Sequence, residues 1–344
     1  MAENTSWLLG GSSHNKQQIR TDWTRWLVAI LLVTSGFLLS ICRRIFAVAN
    51  NVTIGDLHIS NQTFYLLTLA GDIGMLIGSP IVGYIAMVKQ TRVKIWFIVI
   101  FAILWISFVI FALALFLQYT MALCIAAQIA IGIGSSIYFM LIPLSATVWF
   151  GEREQATAFS LGWSAMLFAG LFCSFLPGTI VSKLYAINGD DTLSRTMARM
   201  FVALGFLSSG LLMVACVNFP NFPATPPSYA EMQRLALTKQ MGNETLSYAL
   251  RRFLKEIRFL ITDRTSFILA LWFNLNIAIY VAEYTRFPPP TSPDLLAFSS
   301  GGFFGCIFMG IALDRLKSYN PLANIMGVST IISSISVTLS CASK

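Results

Sequence analysis

Long apolar runs separated by short polar turns dominate the chain. A membrane-crossing helix needs about 20 mostly apolar residues, and nine segments meet that requirement: Trp26–Val48, Phe64–Val88, Ile95–Leu117, Met121–Val148, Ala156–Val181, Met200–Val217, Phe267–Tyr284, Leu295–Leu313 and Leu322–Cys341. Six fall within the first 219 residues, a polar stretch follows, and three more come after it. The pattern predicts an all-α membrane protein in four parts: an N-terminal tail over 1–24, a six-helix bundle over 25–219, a linker over 220–265 and a three-helix partial bundle over 266–344. The first span lies behind a polar leader and is longer than the apolar core of a signal peptide, so it reads as a resident helix.

Inside the linker, Pro220, Pro223, Pro226 and Pro227 forbid a continuous helix. Beyond them, Leu246-Ser-Tyr-Ala-Leu-Arg-Arg-Phe-Leu-Lys-Glu-Ile-Arg-Phe-Leu places apolar residues three and four apart with basic residues between. That spacing predicts an amphipathic helix lying at the lipid headgroups, either as a tie between bundles or with a regulatory role.

Composition agrees with the spans. Of the 344 residues 56% are hydrophobic and 11% charged, less than half the charged share of a soluble domain, which is about 25%. A soluble fold of this composition would expose large apolar patches, and disorder needs the opposite balance. The formal charge of +8 is explained by topology. With the N-terminus cytosolic, 16 of the 23 Lys and Arg face the cytosol and seven the other side, as the positive-inside rule requires. The expected surroundings are therefore a lipid bilayer, and the basic balance gives no reason to invoke nucleic acid.

Soluble-enzyme chemistry has no foothold. The six cysteines are scattered singly, the two histidines, His14 and His58, lack ligand spacing, and Gly132-Ile-Gly134 fails a dinucleotide fingerprint because Ile137 stands at the third glycine. No catalytic constellation, metal site or cofactor is expected. Sequons at Asn51 and Asn61 fall on the non-cytosolic side and are candidate glycosylation sites.

Several polar residues lie inside apolar runs. Asp72 is midway along the second span; an ionisable group there costs roughly 2.5–3.5 kcal/mol, so it should face the bundle interior or water. It suits either proton coupling or pairing with a cationic solute, or else anchors helices together beside Gly71, Gly74 and Gly78, which permit close packing. Gln128, Gly132 and Ser135 or Ser136 share one face of the fourth span and either line a cavity or pack a neighbour. Asn274 and Tyr280 interrupt the seventh span, with Glu283 near its outer end.

The eighth span ends in Gly310-Ile-Ala-Leu-Asp314-Arg315-Leu-Lys317. This resembles G-x-x-x-D-[RK]-x-[GK], the loop signature of the major facilitator superfamily. The copy after the second span, from Gly83 to Arg92, keeps the glycine and the basic residues but lacks the acid. The Asp belongs against the positive N-terminal end of a helix from the other bundle, where it latches the cytosolic side shut. The fourth span is followed by Trp149-Phe150-Gly-Glu-Arg-Glu154-Gln-Ala156-Thr157-Ala158. Together with Arg25-Trp26-Leu27-Val28 and with Phe219-Pro220 before Pro226-Pro227-Ser228, it resembles the feline leukaemia virus subgroup C receptor-related transporters, solute carrier family 49, nearest their lysosomal branch.

The resemblance implies a facilitator fold, with two six-helix bundles giving alternating access to a central cavity lined by helices 1, 4, 7 and 10. Substrates implied are small organic solutes such as choline, ethanolamine, B-vitamin-like compounds and haem. It also implies that Asp314 and Arg315 lie beside Glu154 and Ala156–Ala158, forming a gate with Gly310, Trp149 and Phe150. Two departures stand out. Arg43-Arg44 replace an aromatic and an Asn late in helix 1, and a double cation there disfavours a cationic solute. Glu3 is one residue too far from Leu8-Leu9 for an acidic dileucine signal, which leaves lysosomal and plasma membranes both open. Nine spans against the twelve of a complete facilitator suggest truncation. The alternative to a transporter of a small organic solute is then a truncated, non-transporting membrane protein that associates with or regulates a full-length relative as partner.

Overall fold

The computed structural model describes residues 23–48, 61–89, 92–116, 121–176, 193–241, 246–268, 271 and 293–316. All regular structure among them is helical: α1 Arg25–Val48, α2 Asn61–Lys89, α3 Val93–Phe116, α4 Met121–Trp149, α5 Gln155–Leu176, α6 Leu193–Asn218, α7 Tyr229–Met241, α8 Leu246–Thr262 and α9 Pro293–Leu316. The first six expected spans correspond to α1–α6 and the eighth to α9. The seventh, apart from its first residues, and the ninth lie outside the described residues, as do Asn274, Tyr280 and Glu283. Five helices among the described residues are long and apolar enough to cross a membrane, with a shorter apolar stretch at Val202–Asn218.

The bundle packs α2 on α4, α3 on α4 and α6, and α1 on α5, while α9 lies along α5. Small residues set the closest crossing. A side chain at Gly74 would collide with the Ile129 carbonyl, and one at Gly132 with the Gly71 carbonyl, so α2 and α4 meet backbone to backbone, as small residues permit in lipid. Ser136 Oγ adds an interhelical bond, donating to the Met75 carbonyl at 2.9 Å. Pro143 lies inside α4 and Pro80 inside α2. Neither breaks its helix, as proline is tolerated in membrane-spanning helices.

The core follows α3, which is apolar on every side: Phe97, Phe101, Phe108 and Phe111 are all buried. Tyr138 of α4 is buried too, donating its hydroxyl to the Gly162 carbonyl at 2.7 Å. Gly36 leaves room for the ring. Outside the core, Leu76, Phe206, Met213 and Val217 are at least 70% exposed, a surface suited to lipid and costly in water.

One end of the bundle carries Arg25, Lys89, Arg92, Lys94, Arg153 and Arg315, at or beside helix ends; we call it the basic end. Here Phe219 follows α6, packing on Trp149 with tilted rings at 5.0 Å and meeting Phe97 edge-on at 5.9 Å between centroids. The proline-rich stretch then leads to α7, whose first turn is capped by Ser228: the Glu231 amide donates to its Oγ at 3.2 Å. Glu231, itself buried, pairs with Arg234 through two bonds of 2.6 and 2.7 Å. The expected amphipathic helix is α8.

Candidate functional site: the junction of α5 and α9

The site is built on an uncapped helix. α5 starts at Gln155 with no acidic residue in its first turn, and the first amides of any helix lack intrahelical partners. Glu154, in the position to cap, turns away: its carboxylate accepts a 2.7 Å ion-paired bond from Arg25 Nη1 at the start of α1. The vacated role falls to Asp314, from the last turn of α9. Its Oδ1 accepts from the Ala156 amide at 3.0 Å, and its Oδ2 from the Thr157 amide at 2.7 Å and the Thr157 hydroxyl at 2.6 Å. The carboxylate thus caps a helix 157 residues distant in sequence, adding its charge to the positive end of the helix dipole.

Gly310 permits the approach. A Cβ there would lie 2.6 Å from Ser160 Cβ and 2.9 Å from the Ala156 carbonyl. Farther along, Gly302 faces Leu167, and Phe303 meets Phe168 with tilted rings at 5.3 Å. The 150–154 turn is tied on a third side, since the Tyr229 amide of α7 donates to Glu152 Oε1 at 3.3 Å. One short turn therefore joins α1 through Glu154, α7 through Glu152 and α9 through the amides that follow.

The expected neighbourhood of Asp314 with Ala156–Ala158 is present in these hydrogen bonds, and Arg315 beside it is exposed. Trp149 and Phe150 are 1% and 3% exposed. Both sit in the core beneath the turn, with Trp149 packed under Phe219.

A second polar cluster lies toward the other end of the bundle. Asp72 of α2 accepts an ion-paired hydrogen bond from Arg43 Nη2 of α1, and Arg43 Nη1 reaches Met75 Sδ at 3.8 Å. The side chains are 46% and 25% exposed. Gln128 is buried at 2%, with its Oε1 against Gly71 at the α2–α4 crossing. Arg43 is not a bare cation as the sequence reading assumed. Of the sequon residues, Asn61 is the first residue of α2, and Asn51 lies outside the described residues. Away from the bundle, hydrogen bonds from Ser266 hold the Asp263 carboxyl below its ordinary range.

Sequence reasoning missed three of these contacts. Ser228-x-x-Glu231 has the spacing of a capping box and was legible. Arg25–Glu154 and Arg43–Asp72 join charges on separate helices and leave no local signal.

The bundle, its exposed apolar exterior and the cross-helix cap define a multi-pass integral membrane protein. Residues 32–343 match the family model of the Major Facilitator Superfamily, and the chain belongs to that family. The human choline/ethanolamine transporter FLVCR2 is 27% identical over 199 residues, covering 54% of this chain and 35% of that protein. Danio rerio choline/ethanolamine transporter flvcr2b is 25% identical over 187 residues, 51% of this chain and 36% of its own length. An uncharacterised MFS-type transporter of Caenorhabditis elegans, C09D4.1, is 24% identical over 221 residues, covering 60% and 35%. The matched region thus spans about a third of the length of these relatives. Among solved structures, the proton:xylose symporter XylE bound to 6-bromo-6-deoxy-D-glucose superposes with a TM-score of 0.53 at 16% identity, covering 85% of this chain and 69% of that one. A partially occluded inward-open form of XylE from E. coli gives 0.51 at 17%, covering 86% and 74%. These likenesses establish the facilitator fold.

Proposed function

We propose that this protein moves a small organic solute across a lysosomal or plasma membrane by alternating access, with its basic end in the cytosol. The observation that carries the reading is the Asp314 carboxylate on the first turn of α5. A bond between the ends of two helices that belong to different bundles is made in one state and broken in the other. That is what a gate requires, since a two-state element moves only when contacts differ between its states. Glu154 and Arg25 hold the receiving end of α5 to α1, so α9 moves against a fixed edge. In this scheme residues 25–219 form one rocking body and residues 266–344 belong to the other, joined by 220–265. Asn274, Tyr280 and Glu283 are candidates to face the solute, and Gln128 joins them if the α2–α4 crossing opens.

Choline and ethanolamine, named for the relatives, are the first solutes to try, followed by neutral and anionic nutrients of similar size. The test is uptake into vesicles reconstituted with the full chain. Saturable uptake of one solute above that of empty vesicles, altered by Asp314→Asn, is expected. No uptake of any solute by protein shown to be folded overturns the reading.

A further inference from the structure

We propose that α8 is a docking element for anionic phospholipid headgroups at the basic end, an inference that does not depend on which solute is carried. Residues at 246, 250, 253, 254, 257 and 261 recur at three and four, which puts Leu246, Leu250, Phe253, Leu254, Ile257 and Ile261 on one side. One edge of that side packs on α2: Phe253 meets Tyr84 edge-on at 5.7 Å and lies against Gly83. Away from that edge, Leu250, Leu254, Ile257 and Ile261 are 47%, 55%, 39% and 61% exposed. Arg251, Lys255 and Arg258 are exposed together along one flank of that side.

Depth and charge identify the occupant. Tyr84 stands five residues before the end of α2 at Lys89, or about 7–8 Å along a helix rising 1.5 Å per residue. A helix held there lies at the boundary of hydrocarbon and headgroups. On the α2 face that carries Tyr84, Ile77 and Ile81 precede it by seven and three residues, and both are exposed. The apolar side of α8 therefore continues an apolar exterior already suited to lipid. The basic flank then meets headgroups, which are anionic on the cytosolic leaflet. A protein partner would also cover an apolar side, but the basic residues beside it and the depth set by Phe253 match a lipid surface.

The test is hydrogen exchange of the full chain in nanodiscs of phosphatidylcholine alone, or of phosphatidylcholine with phosphatidylserine. Each basic residue near an anionic surface favours binding by about fivefold, so exchange across 246–262 should slow by at least about tenfold with phosphatidylserine. The combined variant Arg251→Gln, Lys255→Gln, Arg258→Gln should erase that difference while protection of α1–α5 stays unchanged, which shows that the variant is folded. Equal protection in both nanodiscs and in detergent means that another segment or a second copy covers α8, and overturns the proposal. So does a lipid difference that survives the variant, or the lack of protection in every condition.

Discussion

Replacing Asp314 by Asn tests the gate directly. The carboxylate accepts three hydrogen bonds, from two backbone amides and a hydroxyl. A helix cap of this kind contributes about 1 kcal/mol and up to about 2, and its charge at the positive end of the dipole about 0.3–1 more. Asn keeps one acceptor but turns an amide donor toward the other N–H and removes the charge, so about 1–2 kcal/mol should be lost from the closed state alone. That shifts the closed-to-open ratio by a factor of roughly 5–30. Ser160 is a suitable reporter, because it is buried and faces Gly310 across the junction. We expect Ser160→Cys, in a Cys216→Ser background since Cys216 is exposed, to react slowly with a membrane-impermeant maleimide applied from the basic side. Adding Asp314→Asn should accelerate labelling about tenfold, Asp314→Ala more, and Thr157→Val less, because it removes only the hydroxyl. A rate within twofold of the parent for both Asp314 variants would refute the gate.

Three further outcomes follow from packing and charge. Gly310→Ala should cost about 1–3 kcal/mol by overpacking, while Gly302→Ala, whose Cβ meets only the tip of Leu167 at 3.3 Å, costs about 0.5; thermal unfolding of the two variants in detergent separates them. Trp149 is buried and its Nε1 has no acceptor among the described residues, so Trp149→Phe should cost under about 1.5 kcal/mol and Trp149→Ala about 3–5. Arg43→Gln and Asp72→Asn should each destabilise by about 1–3 kcal/mol, less than a fully buried pair because both side chains keep solvent access. The double variant should recover most of that loss in unfolding experiments and keep the pH profile of uptake, whereas additive losses would dissolve the pair and a lost pH response would make Asp72 a coupling group.

Hydropathy located the helices because lipid imposes one rule on every span. The fourth runs over Met121–Trp149 against an expected Met121–Val148, and the first over Arg25–Val48 against Trp26–Val48. The sixth begins seven residues earlier than expected, at Leu193, because Ser194-Arg-Thr-Met-Ala-Arg199 is helical without being apolar, and hydropathy reports depth in the bilayer, not helicity. Asp314 was legible through the resemblance of its loop to the superfamily signature, which implies a helix start as its partner. Arg43 and Asp72 were each visible but not as a pair, since they lie on different helices and charge complementarity exists only once the helices have packed. Trp149 is buried under Phe219, and a motif marks residues that matter together without saying which make the contact and which support it from the core.

The pairing of Arg43 alters the argument about the solute. A bare guanidinium about 7 Å from a bound quaternary ammonium would oppose it by about 2 kcal/mol at an effective dielectric of about 20, enough to lower affinity roughly thirtyfold. With Asp72 bonded to it, that charge is compensated locally, and what reaches a solute is the weaker field of a dipole. Exclusion of cations therefore no longer follows from Arg43, and choline and ethanolamine keep their place among solutes to try. The same reasoning gives a directional test. Asp72→Asn uncovers the guanidinium and should weaken uptake of a cationic solute more than that of a neutral one, while Arg43→Gln leaves the Asp72 carboxylate in place and should not. Equal effects of both substitutions on both solutes would mean that the pair lies too far from the solute path for its field to matter.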